Sequence, residues 1–394
     1  MIVLPTYINK CINILNSSGF ECFVVGGAIR DALLNREVND YDITTNATPI
    51  EIKEAFNDFK TIETGIKHGT LTVIIDYHHI EITTYRIDGE YEDNRHPNNV
   101  VFTQSIYEDC KRRDFTINAI CFHPQTGILD FFDGVKDLNN KIIRSIDNPD
   151  KRFNEDALRI IRALRFSCEL DFEIEENTKK SILNNKDLLN NIAIERISDE
   201  LDKIFSTSNS YKIFKEYFEV FTTIIPEFKN ITNKEEVIHN LSKQSSSDIK
   251  LAIILLNIKD DALNIMNQLK LPNITKRKIK FLLNNYDIDL EDKTNIKKIL
   301  NINKEFLNDL ITFIKIIKPE TNINKINQLH NEIIHNKEPY KLSHLDINGN
   351  DLIELGIKDF KISLTLNDIL NKVIDNTLEN DKEIIIEHIK KGDY

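Results

Sequence analysis

Val24-Val25-Gly26-Gly27-Ala28-Ile29-Arg30-Asp31, followed shortly by Asp40-Tyr41-Asp42, is the stretch on which the fold turns. An apolar run ends in two glycines and passes into a short helical pattern that carries an arginine. Residues i and i+2 of a β-strand point to one face, so Asp40 and Asp42 aim at one spot. Two carboxylates held that close are unfavourable without a cation between them, and Mg²⁺ is commonly bound by one or two carboxylates plus substrate phosphates. Gly26 and Gly27 lack Cβ atoms, which lets backbone N–H groups approach an anion, and the helix start at Ala28 adds a positive dipole end. Singly, each part has a plain structural reading, Gly-Gly as a tight turn and Asp-x-Asp as an exposed loop pair. In this order and spacing they read as a metal–triphosphate site.

At 394 residues the chain exceeds one ordinary core, so two or more domains are expected. A composition of 41% hydrophobic and 29% charged residues describes a globular protein without a membrane partner, and no apolar run reaches bilayer length. Met1-Ile2-Val3-Leu4-Pro5 lacks the basic and long apolar parts of a signal peptide, which predicts a cytoplasmic location. Cys11, Cys22, Cys110, Cys121 and Cys168 form no C-x-x-C pair and read as buried thiols, not a disulfide frame or zinc site. The net charge of −12 speaks against a nucleic-acid partner only on average, because binding needs a local basic surface. From Lys141 to Arg165 there are seven Lys/Arg against four Asp/Glu. Thr275-Lys276-Arg277-Lys278-Ile279-Lys280 is a second basic cluster, which reads equally well as a solvated helix face.

Helical spacing covers 5–18, and strand patterns cover 21–25, 39–44 and the hairpin 70–76/79–86. Thr48-Pro49 opens a helix through Phe56. Residues 87–99 are polar and aperiodic and read as a mobile binding loop, and 121–132 as a further hairpin. Beyond about Asp137 strand signals nearly vanish and apolar residues recur at helical spacing. The architecture is α+β: a head of about 140 residues with a small mixed sheet, then an elongated all-helical body and tail. Asp346-Ile347-Asn348-Gly349-Asn350-Asp351 resembles a calcium loop only at its start. Asp351 stands where glycine is needed and Ile357 where glutamate is needed, so the segment reads as a turn into a helix that stops at Gly356.

Three further segments carry chemistry. Lys111-Arg112-Arg113-Asp114-Phe115-Thr116-Ile117-Asn118-Ala119 sets three cations near the acidic site, suited to clamping phosphates but also to decorating a helix end. Glu81 either joins Asp40 and Asp42 or faces Lys67 on an exposed strand, and is left open. In Arg152-Phe153-Asn154-Glu155-Asp156-Ala157-Leu158-Arg159, Asn154 is a candidate N-cap, with Arg159, Arg162 and Arg165 on a stripe opposite Ala157, Ile160, Ile161 and Leu164. Cytosine and adenine both offer an amino donor beside a ring-nitrogen acceptor, so a carboxylate and a guanidinium at Asp156 and Arg159 match either base. Uracil and guanine present the reverse order, leaving polar groups unpaired at about 1–3 kcal/mol each. Taken alone, the pair would be only a surface ion pair.

Together these residues resemble the ordered motifs of class II (bacterial-type) tRNA nucleotidyltransferases, the CCA-adding enzymes of the polymerase-β nucleotidyltransferase and poly(A) polymerase family. The match runs through Gly26 to Asp31, Asp40 to Asp42, Arg112 to Thr116, Asp130 to Leu138 and Glu155 to Arg159. The resemblance implies a polymerase-β-like head over 1–138, a helical neck over 139–206 bearing the base-selecting helix, and a tRNA-binding body and tail over 207–394. It implies template-independent addition of C, C and A to the tRNA 3′ end from CTP and ATP. Asp40 and Asp42 would be catalytic and hold the Mg²⁺ ions of a two-metal nucleotidyl transfer, while Gly27, Arg30 and Arg113 would contact the nucleotide. Asp156 and Arg159 would act as a protein template supported by Arg162 and Arg165. The resemblance leaves oligomeric state open, a homodimer included. Alternatives are an enzyme adding only A, a bacterial poly(A) polymerase, and a non-catalytic RNA-binding relative. Poly(A) polymerases of this family usually carry a more basic segment where this chain has Gly65-Ile66-Lys67-His68-Gly69, and CC-adding relatives tend to lack the 88–99 loop.

Overall fold

The computed structural model describes residues 2–38, 40–88 and 100–392. The chain divides into two compact units, residues 1–230 with 268–270, and 231–267 with 271–394. Most of the loop expected at 87–99 lies outside the described residues, although its first two positions, Ile87 and Asp88, are in a strand.

A seven-stranded mixed sheet organises the first unit. Its strands are β1 (Cys22–Val25), β2 (Asp42–Thr45), β3 (Lys60–Ile62), β4 (Thr70–Ile75), β5 (His78–Thr84), β8 (Cys121–His123) and β9 (Gly127–Leu129), in the order β3-β4-β5-β2-β1-β8-β9. Only β2 and β5 run parallel, joined by the crossover through α3 (Pro49–Ala55), β3 and β4. The α3 start has the expected local cause. Thr48 and Glu51 form a reciprocal capping box with proline at the first helical position. The short strands β6 (Arg86–Asp88) and β7 (Val100–Phe102) pair separately.

Alternation along β1 sends side chains to two cores. Cys22 and Val24 join Ile8, Ile12 and Leu15 of α1 (Thr6–Ser17), Ile29 of α2 (Gly27–Leu33), and Ile52 and Phe56. Phe23 and Val25 pack on the other face with Tyr85, Cys110 of α4 (Ile106–Lys111), Ala119, Cys121 and Ile146. After α5 (Gly134–Asn139), the two-residue strands β10 (Ile142–Ile143) and β11 (Glu173–Ile174) are the last strand pairing among the described residues. Between them run α6 (Pro149–Glu155) and α7 (Leu158–Leu170), followed by α8 (Glu176–Asn185) and α9 (Ile194–Phe205).

The second unit is helical throughout its described residues. Near its end Ile347, Leu352, Ile369, Val373, Ile385 and Ile389 form one core cluster. Asp351 accepts from the backbone N–H of Asn348 at 2.8 Å and caps the helix Gly349–Glu354, with Gly356 following at φ +86°. Asp351 is thus the third-position partner in a capping box whose N-cap is Asn348.

Candidate active site

Register brings the acidic and glycine segments to one sheet edge. Val25 pairs with Asp42, and Asp42 with Glu81 on the adjacent parallel strand. Gly26, at φ +80°, turns the chain from β1 into α2, a backbone conformation that favours glycine. A Cβ at Gly26 would also lie 3.6 Å from Nη1 of Arg113. Gly26 therefore has a backbone reason apart from any ligand, and Gly27 does not share it.

Above this edge opens a cavity of about 460 Å³. Arg30, Arg112, Arg113, Arg159, Arg162 and Arg165 line it, against Asp42, Asp114 and Asp156, with Gly26, Gly27, Asn118 and Phe166 completing the wall. Six guanidiniums facing three carboxylates make a receptor for a polyanion. Of the expected site residues, Gly27, Arg30, Asp42, Arg113, Asp156, Arg159, Arg162 and Arg165 meet here, from segments up to 138 positions apart (165 minus 27). Asp40 precedes β2 and is exposed outside the cavity lining, but close enough to influence Asp42. Partial burial first, then the neighbouring Glu81 and Asp40, raise the Asp42 carboxyl, with Arg113 opposing them. Glu81, left open above, is an exposed strand residue in register with Asp42. Among the described residues, no three His, Cys, Asp or Glu side chains form a metal-binding group by themselves. Asp42 and the nearby Asp40 carry carboxylate oxygens, a donor type that Mg²⁺ takes together with phosphate oxygens.

Each arginine is held from behind. Arg30 forms a double hydrogen bond with Asp31, at 2.9 and 2.8 Å, and donates through Nη1 to Asn118 Oδ1 at 2.9 Å. Asn118 donates to Asp114 at 3.0 Å, and Asp114 accepts from Nε and Nη2 of Arg162 at 2.9 and 2.6 Å. Burial alone would raise the Asp114 carboxyl, but Arg162 and these hydrogen bonds outweigh it and lower it to about 2. The guanidiniums of Arg30, Arg162 and Arg165 also stand 5.0, 5.2 and 4.1 Å from the Phe166 ring centre. Arg165 pairs with the buried Glu200 of α9 at 2.7 Å. Arg113 donates to Asp109, while its buried Nε finds no hydrogen-bond partner within the described residues.

The segment around Asp156 differs from the sequence reading. Asn154 is not an N-cap. It lies in the last turn of α6, and Asp156 is extended (φ −138°, ψ 101°) between α6 and α7. The Asp156 carboxylate accepts from the Leu158 N–H at 3.1 Å and faces Arg196 of α9 at 3.6 Å. Arg159 pairs with Glu155 at 3.0 Å and donates to the carbonyls of Arg152 and Arg112 at 3.1 and 2.7 Å. Asp156 and Arg159 share the cavity without forming an ion pair with each other among the described contacts. Ala157, Ile160, Ile161 and Leu164 are fully buried, as their spacing predicts.

Sequence reasoning passed over Asp109, Asn118, Phe166 and Arg196. Asp109 alone had a readable signal, standing three and four positions before Arg112 and Arg113, which follow the end of its helix.

Known proteins match this chain along nearly its whole length. The family model of the Poly A polymerase head domain matches residues 22–144. Models described as "Probable RNA and SrmB- binding site of polymerase A" and as tRNA nucleotidyltransferase domain 2 match 171–231 and 242–389. The class so defined is a nucleotidyltransferase with the poly(A) polymerase head fold. The CCA-adding enzyme of Lactobacillus helveticus is 34% identical, covering 99% of this chain and 98% of its own. That of Ligilactobacillus salivarius is 36% identical over 98% and 97%. The structure of the Bacillus stearothermophilus CCA-adding enzyme in complex with CTP superposes with a TM-score of 0.81, at 27% identity over 99% of both chains. The chain belongs to the family of CCA-adding enzymes and is a tRNA nucleotidyltransferase. Among the described residues no helix is long and apolar enough to cross a membrane.

Proposed function

We propose that this chain adds C, C and A in succession to the 3′ end of tRNA, using CTP and ATP and choosing the base without a nucleic-acid template. The observation that carries the reading is the cavity itself, where the Asp42 edge, six arginines and the Asp156/Arg159 pair converge. The full-length likeness to CCA-adding enzymes and the CTP complex of the Bacillus relative support the substrates.

Arg30, Arg113 and the Gly27 backbone bind the triphosphate, with Arg162 and Arg165 supporting the wall. Asp40 and Asp42 would hold Mg²⁺, with Glu81 beside them. When bound, Mg²⁺ lowers the pKa of the tRNA 3′-hydroxyl and stabilises the pyrophosphate leaving group. Asp156 accepts from the exocyclic amino group of C or A, and Arg159 donates to the ring nitrogen. Donor counting permits this. A guanidinium has five N–H groups, and three interactions with Glu155, Arg152 and Arg112 leave others for a base. RNA is recognised by shape and phosphates through the helical segments, as duplex RNA usually is.

The test supplies tRNAs ending before CCA, after C and after CC with each labelled nucleotide in turn, in Mg²⁺. Ordered incorporation of C, C and A is expected. A alone, and only on the CC-ended tRNA, would indicate an A-adding enzyme, and long A tracts a poly(A) polymerase. No incorporation would leave the non-catalytic alternative.

A further inference from the structure

Asp109 has no solvent exposure, yet its carboxylate carries five interactions from three elements. Oδ1 accepts from Nε and Nη2 of Arg112 at 3.0 and 2.7 Å and from the Arg86 backbone N–H at 3.3 Å. Oδ2 accepts from Nη2 of Arg113 at 3.2 Å and from the Thr44 hydroxyl at 3.1 Å. Thr44 lies two residues beyond Asp42 in β2, on the same face of that strand. A buried carboxylate is tolerated only when paired and hydrogen-bonded, and charge balance alone would need one cation. Here two successive arginines are tied to the strand that begins with Asp42.

The two arginines lead to different parts of the cavity. The Arg113 guanidinium is held at Nη2, and its Nη1 lies against Gly26. Arg112 is held by its side chain, and its carbonyl accepts from Nη2 of Arg159 at 2.7 Å. One carboxylate therefore governs a guanidinium on the triphosphate side and a backbone acceptor on the base side. We propose that Asp109 is a positioning residue of the nucleotide site, fixing Arg113 for the triphosphate and, through the backbone of Arg112, Arg159 for the base. The proposal rests on the reading that Arg113 and Arg159 meet the nucleotide.

The test compares Asp109→Asn, Arg113→Ala, Arg159→Ala and the double variant D109N/R113A, with melting temperature recorded for each. Asn keeps the shape but turns an acceptor oxygen into a donor group. For D109N the KM for CTP and ATP should rise about tenfold at nearly unchanged kcat, as for one charge-assisted hydrogen bond. Preference for C and A over U and G should fall as well. In the Arg113→Ala background, Asp109→Asn should raise KM little further. A lowered melting temperature with unchanged KM and base preference would overturn the proposal, as would equal KM losses in both backgrounds. If Arg113→Ala and Arg159→Ala themselves leave KM and base choice unchanged, the underlying reading fails and the proposal with it. If those two act and D109N does not, only the role of Asp109 fails. Should D109N not fold, Thr44→Val removes one donor from the same oxygen. It should raise KM in the wild-type background and not in Arg113→Ala, and no change would overturn the proposal.

Discussion

At the residue scale, the cavity is built from arginines whose positions are set before any ligand arrives. Arg30 and Arg159 are nearly buried, at 8% and 7% exposure, and burying a guanidinium is costly unless its donors are met. The chain Asp31–Arg30–Asn118–Asp114–Arg162 meets those needs for Arg30, and Glu155 with the carbonyls of Arg152 and Arg112 meets them for Arg159. Such preorganisation reduces the ordering cost when a polyanion binds. Asp114 gives a testable pH effect. Its folded-state carboxyl lies near 2, below the ordinary value of 3.8, so its stabilisation is fully present above about pH 5 and is lost as pH falls toward 2. The shift corresponds to about 2 kcal/mol, of which about half should be gone by pH 3. Denaturant midpoints of wild type and Asp114→Asn, compared at pH 5 and pH 3, should converge as pH falls. A constant difference would refute the assignment.

At the element scale, the segment around Asp156 explains why the helical pattern was misread. The sequence reading began a helix at Asn154 on the strength of the apolar stripe Ala157, Ile160, Ile161 and Leu164, whereas α6 runs on through Glu155 and α7 starts only at Leu158. Contacts across the junction hold the two helices apart. Arg152 pairs with Glu155 at 2.6 Å, and Arg159 donates to the Arg152 carbonyl. These interactions leave Asp156 extended at the junction, where its side chain faces the cavity. A second element-level constraint is Gly134, which opens α5. A Cβ there would lie 2.3 Å from the Thr116 carbonyl oxygen and 2.8 Å from Ile120 Cγ1. Backbone cannot yield as a flexible side chain can, so Gly134→Ala should destabilise by about 1–3 kcal/mol. Equilibrium unfolding measures this, and an unchanged midpoint would contradict the packing.

For the whole molecule, the cavity and nearly all of the residues matched by the RNA-binding model, 171–231, lie in the first unit, while the domain 2 model matches 242–389, almost all in the second. Exchanging Asp42 for Ala should therefore abolish nucleotide transfer and change tRNA affinity by less than about threefold, since phosphate contacts dominate nucleic-acid affinity. Filter binding alongside CTP incorporation checks both halves. Loss of tRNA binding would mean that Asp42 has been given the wrong role.

How much was legible follows from range. Gly26-Gly27, the Thr48 capping box, the apolar stripe of α7 and the α+β to all-α transition are local patterns, so periodicity and turn chemistry determined them. The neighbourhood of Asp42 and Glu81 depends on which strands pair, and a parallel pairing across a crossover leaves no mark in either segment. The same holds for Asp109 with Thr44 and for Asp156 with Arg196. Sequence by itself determined the glycine turn, the acidic strand start and the arginine stripe, from which a metal–triphosphate site and a base-reading pair were expected. Only the tertiary structure decided which carboxylate holds which arginine, because hydrogen bonds and buried charge depend on distances of a few ångströms between residues far apart in the chain.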